Sequence, residues 1–135
     1  MQAPEHSHRD TETQRYAVSD AVIAAAIEVH RELGPGLFES VYEAALVVEM
    51  ESRGLSVQRQ IDVPVVYKGV QLGSHYRVDL LVEGQLVLEL KAVDQLAPIH
   101  TAQVLTYLRL LNLKSGLLIN FNQAQLKQGL RRVSL

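Results

Sequence analysis

The chain contains no cysteine and no tryptophan, and only two phenylalanines and four prolines. Without thiols it has no disulfide, no thiolate nucleophile and no cysteine-ligated zinc or iron–sulfur site, and it reads as a protein of a reducing compartment, the cytoplasm. Five tyrosines supply most of the aromatic content, so composition does not indicate a broad stacking platform for single-stranded nucleic acid. No apolar run reaches the length that spans a bilayer, and residues 1–17, MQAPEHSHRDTETQRYA, lack the apolar core of a signal peptide. That stretch is expected to be a flexible N-terminal tail. Neither sign of charge dominates: 13 basic side chains face 15 acidic ones, which excludes a strongly cationic coat but permits a local basic patch. What is present is apolar content: 47% of the 135 residues are hydrophobic, enough for a single core-bearing domain over residues 18–135.

The periodicity divides the chain. Ser19-Asp20 offers an N-cap, and Val22, Ala26, Val29 and Leu33 recur at helical spacing until Gly34-Pro35-Gly36 ends the pattern. A second helix is expected from about Phe38 to Arg53, with Val41, Ala45, Val48 and Ser52 on one stripe and Gly54 just past its end. From Leu55 the period becomes two. Strand-like runs lead to Tyr67, turn at Lys68-Gly69, and continue through Val70–Leu72, Tyr76–Val82 and Leu86–Lys91 as an antiparallel meander. Pro98 can open a third helix running to Leu111, with Ala102, Leu105 and Leu108 toward the sheet. Gly116–Phe121 reads as a short buried strand, followed by a helical turn and a last strand near Leu130–Val133. The order predicts an α/β sandwich with a mixed sheet.

Chemistry concentrates in one hairpin. In Val78–Val82 and Leu86–Lys91, alternation gives Val78, Leu80, Val82, Leu86, Leu88 and Leu90 an apolar face. Asp79, Leu81, Val87, Glu89 and Lys91 fall on the other. Both apolar sets share a core only if the turn centres on Gly84, which sets Asp79 opposite Glu89. Two carboxylates at that separation repel unless a proton or a cation lies between them, so the pair is a candidate divalent-cation site with Lys91 one pleat away. The same alternation also describes an ordinary half-exposed strand on which the three residues are solvated decoration. Leu81 and Val87 on that face weigh against the plainer reading.

Asp79, followed after the hairpin by Glu89-Leu90-Lys91, resembles the signature of the PD-(D/E)XK nuclease superfamily, with Val78 where the proline of that name would stand. Gly36-Leu-Phe-Glu39-Ser-Val-Tyr42 resembles the motif that names one branch, the GxxExxY protein family. Further segments are similar to that family in order: Tyr76-Arg-Val-Asp79, Glu89-Leu-Lys91-Ala-Val, His100-Thr-Ala-Gln103, Tyr107-Leu and Gly116-Leu-Leu-Ile-Asn120-Phe121. The resemblance implies a restriction-endonuclease-like sandwich in which a central antiparallel hairpin is flanked by helices.

It also implies roles. Asp79 and Glu89 would be metal ligands for Mg2+, with Mn2+ as a substitute. Lys91 would orient the attacking water and stabilise charge on the phosphate, and Glu39 would be the acid supplied by an early helix. Gln103 would join the catalytic set, with Tyr42, His100 and Tyr107 in support. Taken alone, Glu39 is also what a helix dipole favours in a first turn, and Tyr42 suits packing and hydrogen bonding better than catalysis. His100, Gln103 and Tyr107 share a helical stripe that elsewhere would be a solvated face, and lone histidines are more often surface or capping residues than ligands. Asn120 and Asn122 suit turn and capping duties. The expected partner is nucleic acid, DNA ranked before RNA, with no membrane involved and the oligomeric state open, a homodimer included. The rival expectation is a catalytically silent nucleic-acid- or protein-binding regulatory module on the same fold.

Overall fold

A computed structural model describes residues 4–135; residues 1–3 of the expected tail lie outside the described residues. Helix α1 runs Pro4–Leu33. It therefore starts well before the expected N-cap, and the reason is visible at Ser19. Its hydroxyl donates to the Tyr16 carbonyl at 3.1 Å, a bond back into the preceding turn of a continuing helix rather than a cap. Asp20 is drawn instead into an ion pair with Arg132 at 2.8 Å. Val22, Ala26 and Val29 are buried as their spacing predicts, whereas Leu33 at the helix end is exposed.

Helix α2 spans Glu39–Ser52. Its buried face is Tyr42, Leu46, Val47 and Met50; of the expected stripe Ala45 packs partly buried against this core, while Val41 and Val48 are exposed. Two overlapping apolar stripes run along this helix, and the one with the larger side chains removes more surface from water. Val48 is left 69% exposed.

Strands β1 (Val57–Tyr67), β2 (Val70–Val82) and β3 (Leu86–Lys91) form the expected antiparallel meander, with the two runs Val70–Leu72 and Tyr76–Val82 joined in one strand. Helix α3 (Pro98–Leu111) crosses over to β4 (Ser115–Asn120), a 3-10 turn follows at Leu126–Gly129, and β5 (Leu130–Ser134) ends the chain. The sheet order is β1-β2-β3-β4-β5, antiparallel except for the parallel β3/β4 pair. Parallel neighbours need a crossover of a dozen or more residues, and α3 with its flanking loops supplies it.

The sheet separates two apolar cores. Leu80, Val82, Leu86, Leu88 and Leu90 pack with α1 and α2, and Val87 and Leu118 pack with Val104, Tyr107 and Leu108 of α3. Val78 belongs to the α3 side with Val63, a correction to its expected place beside Leu80. The twist of β2 where it parts from β3 carries it there. On α3 the buried stripe is Val104, Tyr107 and Leu108, while Ala102 is exposed. Gly116 lets α3 approach: a Cβ there would lie 2.8 Å from Val104 Cγ1.

Candidate active site

The β2/β3 hairpin has the register expected from its sequence. Leu80 faces Leu88, Leu81 faces Val87 and Val82 faces Leu86, so the next position along brings Asp79 to Glu89. There the backbone ladder stops and side chains take over its rungs. The Leu90 N–H donates to Asp79 Oδ2 at 2.8 Å, and the Asp79 N–H donates to Glu89 Oε1 at 3.3 Å. Each carboxylate spends one oxygen on a backbone amide and keeps a second for a proton or a cation.

The ladder lapses on the other side of Asp79 as well. Arg59 pairs with Leu80 and Ile61 with Val78, but the rung between them is missing. Gln60, which would occupy it, has φ 52°, a left-handed conformation that costs a non-glycine residue roughly 1–3 kcal/mol and is retained where surrounding contacts enforce it. The enforcing residue is Glu43 on α2, which accepts from Gln60 Nε2 at 2.9 Å and from Arg59 at 3.1 Å. Asp79 thus sits where the ladder to β3 has ended and the ladder to β1 skips a rung.

Glu89 is only 5% exposed. Burial first, and the Asp79 carboxylate second, push its pKa from the ordinary 4.5 up to about 8, with Lys91 pulling the other way. Near neutral pH a carboxyl so placed favours its protonated form. Tyr107 completes the wall: it is buried on α3, and burial, then Glu89, Asp79 and Tyr76 in turn, raise its phenol above the usual range. Its hydroxyl remains a neutral donor.

Lys91 is half-buried and close enough to Glu89 to lower its pKa. Its strand end is fixed by Phe121 N–H donating to the Lys91 carbonyl at 2.9 Å and by its register partner Asn120. Asn120, fully buried, accepts from Val93 N–H at 3.0 Å and donates to the Val93 carbonyl at 2.8 Å, clipping the loop that leaves β3. This is the turn duty expected of it.

Among the described residues no group of three or more His, Asp or Glu gathers to hold a metal. Asp79 and Glu89 stand as a pair, and Glu39 lies exposed in the first turn of α2. Two carboxylates with coordination left for water and substrate oxygens suit Mg2+, which seldom sits in an all-protein cage. Tyr42 is structural: its hydroxyl donates to the Gly34 carbonyl at 2.6 Å and accepts from Leu37 N–H at 3.2 Å, and its ring stacks on Phe121 at 4.5 Å. His100 accepts from Ala97 N–H through Nδ1 at 3.0 Å and so caps α3. Gln103, half-buried, lies one turn before Tyr107.

Two residues escaped the sequence reading. Glu43 carries no spacing signal that ties it to a strand so far along the chain. Tyr76 was quoted within a motif without a role, yet its ring lies 6.2 Å from that of Tyr107. Hollows lie elsewhere, one of about 210 Å3 beside Lys114 and Arg132 and one of about 270 Å3 beside Gln95, Asn120 and Arg131. Neither is lined by Asp79 or Glu89.

No helix among the described residues is long and apolar enough to cross a membrane. No curated protein and no solved structure matches the chain. A family model does: that of the PD-(D/E)XK nuclease superfamily matches residues 16–133. The mixed five-stranded α/β sheet with flanking helices agrees with the restriction-endonuclease-like architecture of that group. By a match that takes in every strand, and the hairpin where Asp79, Glu89 and Lys91 meet, the chain belongs to the PD-(D/E)XK nuclease superfamily.

Proposed function

We propose that this protein is a Mg2+-dependent nuclease of the GxxExxY branch, cleaving phosphodiester bonds in nucleic acid within a reducing, cytoplasmic setting. The observation that carries the reading is the buried Glu89, held protonated by burial and by Asp79. Packing two carboxylates together, one of them buried, and holding Gln60 in a left-handed conformation beside them are costs typical of functional sites.

In this reading Asp79 and Glu89 would hold the cation. When bound, the ion polarises a phosphoryl oxygen and makes water a better nucleophile near neutral pH. The remaining work belongs to the chain. Glu89 releases its proton on loading. Lys91 presents a compact ammonium that orients water and meets the negative charge building on the phosphate. The Tyr107 hydroxyl donates a hydrogen bond without ionising, and Gln103 one turn away orients substrate or water. In this reading Glu39, exposed in the first turn of α2, serves that helix's positive N-terminal end. His100 holds α3 in register and Tyr42 holds the loop before α2.

The test is direct. Purified protein is incubated with single- and double-stranded DNA and RNA in Mg2+, Mn2+ or EDTA, beside Asp79→Asn. Metal-dependent cleavage lost in the variant supports the reading, with DNA the preferred substrate. Binding without cleavage in every metal would instead favour the silent module.

A further inference from the structure

Tyr76 is large, aromatic and uncovered, with 53% of its surface exposed. It lies on the part of β2 where the β1–β2 ribbon emerges from the core, since residues 66–77 are exposed throughout. The ring is nonetheless braced. Tyr107, 5% exposed, supports it from behind at 6.2 Å between centroids and a tilt of 48°, within the range of a favourable aromatic pair. One side of the Tyr76 ring is therefore fixed against a buried neighbour and the other is open.

Its position matters as much as its exposure. Tyr107 packs in one cluster with Val87 of β3 and with Leu118, the register partner of Glu89 on β4, so Tyr76 belongs to the same wall. Along β2 it precedes Asp79 by three residues, about 10 Å at strand rise, a span that one nucleotide bridges from its phosphate to the far edge of its base. An aromatic face at that distance from two carboxylates fits a nucleobase whose phosphate lies at the carboxylates. The small aromatic total speaks against a broad platform, but one braced ring suffices for one base.

We propose that Tyr76, backed by Tyr107, stacks an unpaired nucleobase beside the phosphate being cut, so that the site takes single strands, flaps or frayed ends in preference to intact duplex. A base inside a duplex has both faces already covered and offers neither to a protein ring. Stacking reads no hydrogen-bonding edge, so the preference is for an unpaired state and not for a sequence. The inference rests on the nuclease reading above and names its substrate class.

Binding measured in EDTA separates it from catalysis. Fluorescence anisotropy is recorded with labelled single-stranded and duplex oligonucleotides for wild type, Tyr76→Phe and Tyr76→Ala, each checked for folding by circular dichroism. Wild type and Tyr76→Phe should bind the single strand more tightly than duplex, and Tyr76→Ala should lose about tenfold or more on the single strand only. Because the chain has no tryptophan, Tyr76→Trp introduces a lone indole whose emission a stacked base quenches. Equal single-strand affinity in wild type and Tyr76→Ala, or an unquenched indole in a complex that anisotropy reports as formed, would overturn the stacking role while leaving nuclease activity standing. Wild type that binds no nucleic acid in any form would overturn both.

Discussion

Replacing Glu89 by glutamine removes the one group whose ionisation the fold resists most plainly. Its pKa stands at about 8 against an ordinary 4.5, a difference worth about 5 kcal/mol at 1.36 kcal/mol per unit. That figure is a ceiling, because relaxation and water entry soften the cost of charging a buried group. The pKa is raised on folding, so the folded state binds the proton more tightly than the unfolded chain. The contribution is therefore complete below pH 4.5, is lost as the pH climbs to about 8, and changes no further above that.

Glutamine keeps a carbonyl oxygen for the Asp79 N–H and has no proton to lose. In EDTA the wild-type melting temperature, relative to Glu89→Gln, should fall between pH 5 and pH 8.5 by up to the order of 15 °C for a chain of this size. At pH 8.5 the variant should be the more stable protein. Adding Mg2+ at pH 8.5 should raise the wild-type melt and leave the variant unmoved, and wild-type affinity for Mg2+ should weaken about tenfold per unit below pH 8 as protons compete. Thermal melts across pH, with and without Mg2+, read all of this. A variant less stable than wild type at pH 8.5 would refute the reasoning and mark Glu89 as a structural partner of Lys91.

Lys91→Ala should abolish metal-dependent cleavage while circular dichroism and Mg2+ affinity stay near wild type, and Lys91→Arg should restore little, because a planar fork cannot place a compact charge; single-turnover cleavage assays decide. Tyr42→Phe should cost about 1–3 kcal/mol in urea denaturation, since the Gly34 carbonyl and Leu37 N–H lose their partner, with the cleavage rate per folded molecule unchanged. Gly129→Ala should destabilise by about 3 kcal/mol, because its Cβ would press into the Asn120 carbonyl oxygen, a backbone atom that cannot swing aside. An unshifted denaturation midpoint would contradict that.

The hairpin was legible because its register follows from local alternation and one turn, both of which a single stretch of sequence contains. Helix α3 was legible in extent, through Pro98 at its start, and in part in orientation: Leu108 is buried and Leu105 packs against the core as expected, while Ala102 is exposed and Tyr107 is buried. The helix's buried side is chosen by Gly116, which lets Val104 close on β4 from a distant part of the chain. Helix α2 failed similarly: Val41 and Val48 formed as regular a stripe as Tyr42, Leu46 and Met50, and only Phe121, arriving from β4 to stack on Tyr42, distinguishes them. The carboxylate pair could be placed from parity, whereas the depth of Glu89 depended on β4 covering β3 in parallel, a pairing made only through the crossover. Glu43 and Gln60 lay beyond sequence reasoning, since a left-handed residue inside a strand follows from a tertiary contact and not from propensity.

The rung between the Leu90 amide and Asp79 Oδ2 makes one side chain serve two trades. It is at once a candidate ligand and the last tie between two strands. Deleting that carboxylate as alanine would unfasten the hairpin as well as empty the site, and lost activity would then report on architecture as much as on chemistry. Asparagine keeps an oxygen for the amide and discards only the charge, which makes it the cleaner inactive form. The Leu90 proton itself becomes an observer. Its exchange with deuterated solvent should stay slow whenever the Asp79 oxygen is in place, and quicken when a cation, a proton or a mutation draws that oxygen away, so one amide signal follows the loading of the site from inside the sheet.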